Sequence, residues 1–287
     1  MSTEHKPASR WHRLRGWLLV GLLLTLMVGG WRMLGLERRY IYFPSHEVGP
    51  SPADFGLQGE EFRVATPDGE RLHGLYLRRD PATTTRPTLL FAHGNAGTAP
   101  GRLPRAALFL QRLDVDVVLY DYRGYGQSSG APSEEGTYTD ARAVYDWLRQ
   151  RGVAAERIVL FGESLGCAVS IQLALDRPVR AVILEAPFLS VRAMAKRLLP
   201  WLPLGPLLRT RYDNQAKIGR VAAPVFIVHG SDDELIPQEQ GAALFAAARE
   251  PKRFLSVPGA HHNDVPRVGG TAYLDALDAF LRSLDRR

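Results

Sequence analysis

Hydrophobic and polar positions run along this chain in two rhythms. Near the start, residues 16–31 form one unbroken uncharged stretch. From about residue 61 the pattern changes to short apolar runs spaced by amphipathic segments of helical length. Runs at 61–65 and 72–77 flank Pro67, Asp68 and Gly69, and an Asp-Gly turn between two alternating runs predicts a hairpin. After it come apolar runs at 88–91, 115–120, 158–161, 179–184, 225–228 and 254–257. Runs that are apolar on both faces predict strands of a mostly parallel sheet. Helices are expected between them at 103–113, 135–151, 165–176, 238–248 and 272–284, so the chain reads as α/β with helices on both faces of a central sheet. No internal repeat interrupts the pattern.

One insertion breaks it. Between residues 187 and 221 lies a segment rich in Leu198, Leu199, Trp201, Leu202, Leu204 and Leu207 and broken by prolines. We read residues 187–221 as an apolar cap, or lid, over a site between two sheet strands. The plainer alternative is one more packed helix and loop.

The first 39 residues read as a basic segment followed by a membrane anchor, and residues 40–287 as the catalytic domain. At 1.5 Å rise per residue the uncharged stretch covers roughly 22 to 24 Å, short of the ~30 Å hydrocarbon core. A span needs Met33, Leu34 and Leu36 as well, with Arg32 snorkelling at the interface beside the tryptophans. Lys6, Arg10, Arg13 and Arg15 on the near side outweigh Arg32, Arg38 and Arg39 offset by Glu37 on the far side. That bias favours a cytoplasmic N-terminus and an exported catalytic domain, single-pass. The competing reading is a signal peptide cleaved near Val28, Gly29 and Gly30, giving a secreted enzyme.

Composition adds limits. With 287 residues and 45% hydrophobic positions there is material for one large core and little for a second. The net charge of +6 comes from scattered basic residues without interleaved aromatics, so no nucleic-acid partner is expected. The single cysteine, Cys167, leaves no intrachain disulfide and no cysteine-rich zinc site, and it reads as a small buried helix residue.

The chemistry sits at strand ends. Gly162, Glu163, Ser164, Leu165 and Gly166 spell GxSxG after one predicted strand and before a helix, the context in which such a serine is a nucleophile. The acidic run Asp232, Asp233 and Glu234 follows the strand at 225–228, and His261 and His262 follow the last one. Serine, acid and histidine in that chain order, each at a strand's carboxyl end, match the order used by α/β-hydrolases. His262 is expected to take the Ser164 proton and return it to the leaving group, with a buried carboxylate fixing its tautomer. His261 reads as a loop residue, and a metal site built from His261, His262 and Asp264 is disfavoured because adjacent histidines share no helical face. Upstream, Phe91 to Gly97 form a strand entering a glycine-containing loop, where the backbone amide of Asn95 can join that of Leu165 in an oxyanion hole. His93 reads as a hydrogen-bonded loop residue and Arg123 as a brace of its own loop. Glu185, at another strand end, has no assigned role.

The segments HGNAG, DYRGYG, GESLG, HGSDDELIP and GAHHND, with YIYFP near Tyr40, together resemble a group of membrane-anchored α/β-hydrolases that includes depalmitoylating thioesterases and lysophospholipase-like enzymes. The likeness runs from about Tyr40 to the last helix. In that family the acid is the fifth residue of an HGxxDxxI pattern, which falls on Asp233, and its histidine falls on His262. The resemblance implies hydrolysis of an ester or thioester through an acyl-enzyme, without metal or organic cofactor, on acylated lipid or protein. A serine peptidase of the same fold, with Glu163 or Glu185 reading an amine, is the rival enzyme. A catalytically silent, membrane-tethered binding protein is the rival from another class.

Overall fold

The computed structural model describes residues 9–80, 82–83, 85–201 and 208–285; within the first helix the side chains at 9–13, 27–28, 31–34 and 36 also lie outside the description. The chain divides into two units, Met1–Ile41 and Tyr42–Arg287.

The first unit holds one helix, α1 (Ser9–Ile41). Its described apolar side chains, among them Leu18, Leu19, Leu22, Leu23, Leu24 and Leu26, are exposed. The expected single-pass span finds no support, because no helix among the described residues is long and apolar enough to cross a membrane. The uncharged stretch is short, and the side chains of Met33, Leu34 and Leu36, on which its completion rested, lie outside the described residues.

The second unit opens with β1 (Phe43–Pro44). Next comes the hairpin β2 (Gly59–Ala65) and β3 (Arg71–Leu77), antiparallel in the register Phe62 opposite Gly74. The Asp-Gly pair lies in its loop, with Gly69 at φ 95° and its amide donating to the Thr66 carbonyl at 3.0 Å. β4 (Thr88–Ala92) leads to a short β5 (Ala96–Gly97), and β1 pairs with β5 in parallel. The remaining strands are β6 (Asp116–Tyr120), β7 (Ile158–Glu163), β8 (Ala181–Glu185), β9 (Val225–Gly230) and β10 (Lys252–Val257). They form an eight-stranded sheet in the order β10-β9-β8-β7-β4-β6-β3-β2. All neighbours are parallel except β2 with β3 and β3 with β6. The chain is an α/β-hydrolase fold.

Burial explains the two kinds of strand pattern. Every residue of β4, β6, β8 and β9 is buried, as continuous apolar runs in the middle of a covered sheet require. On β2, at one edge, Phe62 and Val64 point in and their neighbours point to solvent.

The helices are α2 (Leu103–Arg112), α3 (Glu134–Gln150), α4 (Leu165–Asp176), α5 (Val191–Leu198), α6 (Asn214–Ile218), α7 (Gln238–Ala247) and α8 (Val265–Ser283). Ser133 starts α3 by accepting from the Gly136 amide at 3.1 Å. Helix α8 begins earlier than the apolar periodicity predicts. It is broken inside at Gly270 (φ 48°, ψ −130°), and only the part beyond that kink follows the pattern expected from residue 272. α2 packs with α8, while α3 packs with α4, α4 with α6 and α6 with α7. Between α2, α8 and the sheet lies a core that includes Phe91, Phe109, Phe161, Phe226, Leu277 and Phe280.

The insertion at 187–221 is less uniform than its sequence suggests. Its far half is packed into the body: Tyr212, Asn214, Ile218 and Val221 are buried, and the Asn214 amide group donates to the Phe188 carbonyl at 2.8 Å. Leu198, Leu199 and Trp201 are exposed. Leu202, Leu204 and Leu207 of the expected lid lie outside the described residues.

Candidate active site

Ser164 stands in the turn from β7 to α4 with φ 52° and ψ −110°, a conformation a non-glycine residue keeps only where its surroundings impose it. Here the Ser164 amide donates to the Glu185 carbonyl at 2.9 Å, and the Cys167 amide donates to the Ser164 carbonyl at 3.0 Å. The flanking glycines are demanded by close approach. A Cβ on Gly162 would stand 2.6 Å from Cys167 Cα, and one on Gly166 would stand 1.9 Å from the Ala92 carbonyl oxygen. The start of α4 is thus pressed onto β7 and β4, and the half-buried Ser164 is left at the carboxyl edge of the sheet.

Two further strand ends meet it. His262, in the loop between β10 and α8, places Nε2 3.1 Å from Ser164 Oγ and Nδ1 2.7 Å from Asp233 Oδ2. The Asp233 side chain is fully shielded and that of His262 is 8% exposed. A carboxylate only accepts, so Nδ1–H is the donor to Asp233; the Nε2 lone pair then faces the serine hydroxyl. Burial opposes ionisation of Asp233, but hydrogen bonds from His229, His262 and the Ile236 amide outweigh it and hold the carboxyl well below the usual carboxylate range. Asp233 Oδ1 accepts from the amides of Leu235 and Ile236 at 3.0 and 2.7 Å, which fixes the carboxylate's orientation.

The neighbours of the acid and the histidine point elsewhere. Asp232 accepts from the Ser231 hydroxyl at 2.6 Å. His261 is exposed and lies 2.9 Å from Glu234 Oε2, whose hydrogen bond draws its pKa upward. Asp264 accepts from the His261 amide at 2.7 Å.

Leu165 is the first residue of α4, and Asn95 lies in the loop from β4 to β5. That loop passes Ser164 closely: a Cβ on Gly94 would be 3.7 Å from Ser164 Cβ. The Asn95 carbonyl accepts from the Phe43 amide at 2.9 Å and from the Tyr125 hydroxyl at 2.8 Å. Arg123 braces its loop, giving Nη1 to Asp68 at 2.6 Å and Nε to the buried Asp140 at 2.9 Å.

Beneath the serine lies a charged layer that sequence reasoning missed. Glu163 and Glu185 are register partners on β7 and β8, so two carboxylates face each other across adjacent strands. Arg102 grips Glu163 with Nε at 3.1 Å and Nη2 at 2.6 Å, and Arg105 joins Glu163 at 3.3 Å to Glu185 at 2.7 Å. The Tyr273 hydroxyl donates to the remaining Glu185 oxygen at 2.8 Å. Burial alone would raise the Glu163 pKa, yet the Arg105 and Arg102 guanidiniums bring it down to about 2. Two acidic residues at adjacent strand ends were the available signal, because like charges so placed require cations. Both carboxylates expected to read a substrate amine in a peptidase are therefore already matched by arginines. Cys167 is buried in the same layer, with Sγ donating to the carbonyls of Gly162 and Glu185.

Comparison with known proteins follows the same lines. The Hydrolase_4 family model, described as Serine aminopeptidase, S33, matches residues 83–208. An uncharacterized protein of Mycobacterium tuberculosis is 43% identical over 248 residues, covering 85% of this chain and 87% of its own. The alpha/beta hydrolase domain-containing protein WAV2 of Arabidopsis thaliana is 33% identical over 265 residues, 84% of this chain and 86% of that protein. Among solved structures, an esterase of Pyrococcus furiosus superposes with a TM-score of 0.69 over 84% of this chain and 98% of its own, at 18% identity, a likeness of fold. The family supports a hydrolase, and on these relatives, with the eight-stranded sheet that carries the site, the chain belongs to the α/β-hydrolase family.

Proposed function

We propose that the protein is a serine hydrolase that cleaves carboxylic esters or thioesters through an acyl-enzyme. The observation that carries this reading is the line from Ser164 Oγ through His262 to Asp233, at 3.1 and 2.7 Å. In it Ser164 Oγ attacks the substrate carbonyl carbon while His262 Nε2 takes the hydroxyl proton. The amides of Asn95 and Leu165 receive the charge that develops on the carbonyl oxygen. The bond to the leaving group then breaks, and His262 returns the proton to the departing oxygen or sulfur. Water, deprotonated by the same imidazole, releases the acid and restores Ser164. Asp233, held ionised, keeps the imidazole in the required tautomer and stabilises it when charged.

An acylated lipid or protein is the proposed substrate class. Exposed Leu198, Leu199 and Trp201 favour an apolar acyl group, and the exposed apolar side chains of α1 favour attachment to a lipid surface. The peptidase reading is the weaker one because Glu163 and Glu185 are committed to Arg102 and Arg105. A screen of p-nitrophenyl esters of graded chain length beside a panel of peptides tests the choice. Turnover that rises with acyl length supports the reading, and cleavage confined to peptides would replace it. Carbonate-washed membranes should retain the polypeptide; recovery of all of it in the soluble fraction would remove the lipid attachment. Protease added to sealed spheroplasts reads the side: digestion fits the export favoured by the basic residues ahead of residue 16, and protection would place the enzyme in the cytoplasm.

A further inference from the structure

The amide assigned to the oxyanion belongs to the peptide between Gly94 and Asn95. A trans peptide is planar, with C=O and N–H pointing opposite ways, so whatever fixes the Gly94 carbonyl also fixes the direction of the Asn95 N–H. His93 does this. Its Nδ1 lies 2.7 Å from the Gly94 carbonyl oxygen, and since a carbonyl only accepts, Nδ1 carries the proton.

The ring is itself immobilised. His93 is buried, its ring lies 4.4 Å from that of Tyr122 and 5.4 Å from that of Tyr125, and its own carbonyl accepts from the Tyr122 hydroxyl at 2.8 Å. Nε2 is buried without a hydrogen-bond partner, as suits the lone pair of a neutral imidazole protonated on the other nitrogen. Burial, helped by the charge of Arg102, lowers the His93 pKa to about 4, which keeps the ring neutral near pH 7. On the far side of Asn95 the next carbonyl is held by Phe43 and Tyr125. Both carbonyls that flank the Asn95 amide are therefore pinned.

We propose that His93 is a positioning residue of this hydrolase: its Nδ1–H holds the Gly94 carbonyl and thereby aims the Asn95 amide at the oxyanion. The inference rests on the reading of Ser164 as nucleophile and Asn95 as a backbone donor. A histidine that merely filled space would be replaced without kinetic effect by an apolar side chain, which would also remove the orphaned Nε2.

The test compares His93→Leu, His93→Asn and His93→Gln in the full chain. An Asn carboxamide places its NH2 near the position of Nδ1, whereas that of Gln reaches nearer Nε2. Leu and Gln should lower kcat about 10²-fold with KM changed by no more than about twofold, and Asn should recover at least about tenfold of the loss. Inhibition by a trifluoromethyl ketone, whose hemiketal oxygen takes the oxyanion position, should weaken in parallel with kcat. Should Leu fail to fold, the ratio of Asn to Gln decides. Equal activities for Asn and Gln, or a Leu variant that loses thermal stability but keeps kcat, would overturn the proposal. Fluorophosphonate labelling of the wild type separates the two readings: labelled Ser164 with unaffected His93 variants sinks only the positioning role, and an unlabelled wild type brings down both.

Discussion

Two buried acidic centres lie within one layer of each other in this molecule, and they are wired differently. At the rim, Asp233 is paired with His262, whose imidazole has one nitrogen that donates and one that accepts, and that imidazole faces a serine hydroxyl. Beneath, Glu163 and Glu185 are paired with Arg102 and Arg105, whose guanidiniums only donate. Burial of a carboxylate is common to both. What separates them is the partner: the rim can move a proton along a line of hydrogen bonds, and the lower layer can only hold its charges in place. The lower layer still supports the rim, because the Glu185 carbonyl receives the Ser164 amide and Glu163 directly precedes Ser164.

Substitution at the rim should have the largest effect. Ser164→Ala should reduce ester turnover by about 10⁶-fold with little loss of folding, because the three residues act as one unit. A variant retaining a tenth of wild-type turnover by steady-state assay would remove Ser164 from the chemistry. Next, Asp233→Asn should cost about 10⁴-fold, since the amide no longer fixes the His262 tautomer. Asp232→Asn serves as its control, because that carboxylate accepts only from the neighbouring Ser231 hydroxyl in the contacts described. A reversal of the two effects would move the acid by one position.

In the lower layer the effect should fall on stability. Arg105→Met leaves Glu185 buried without its cation, and breaking a buried pair costs about 3 to 5 kcal/mol. The urea midpoint reads this, and an unchanged midpoint would show that the layer does not depend on its charges. The smallest expected effect is one of pH. The Glu163 pKa is about 2 in the fold and ordinarily 4.5, so its contribution is fully present above pH 4.5 and is lost as pH falls toward 2. Glu163→Gln should therefore flatten the dependence of the urea midpoint on pH over that interval, and an equal slope in both proteins would contradict the assignment.

Legibility in the sequence followed the range of the interaction. The central strands were readable because burial on both faces writes a continuous apolar run, and GxSxG because two glycines and a serine share one turn. The Arg105–Glu185 pair joins residues 80 positions apart, and no local pattern records it. The same is true of Phe43, whose amide reaches Asn95 through the fold. The start of helix α8 is hidden in the sequence because Gly269 and Gly270 look like a loop, whereas the chain makes a kink there and is helical on both sides. In the first helix the uncharged run of residues 16–31 is plain in the sequence, yet no helix among the described residues is long and apolar enough to cross a membrane.

The role proposed for Ser164 is tested most directly by the site of covalent capture by a fluorophosphonate in the full-length protein, read by peptide mass spectrometry. A single phosphonyl adduct on Ser164 is expected, formed rapidly in the wild type and slowly when His262 is replaced by alanine. An unmodified Ser164, or an adduct on another serine, would contradict it.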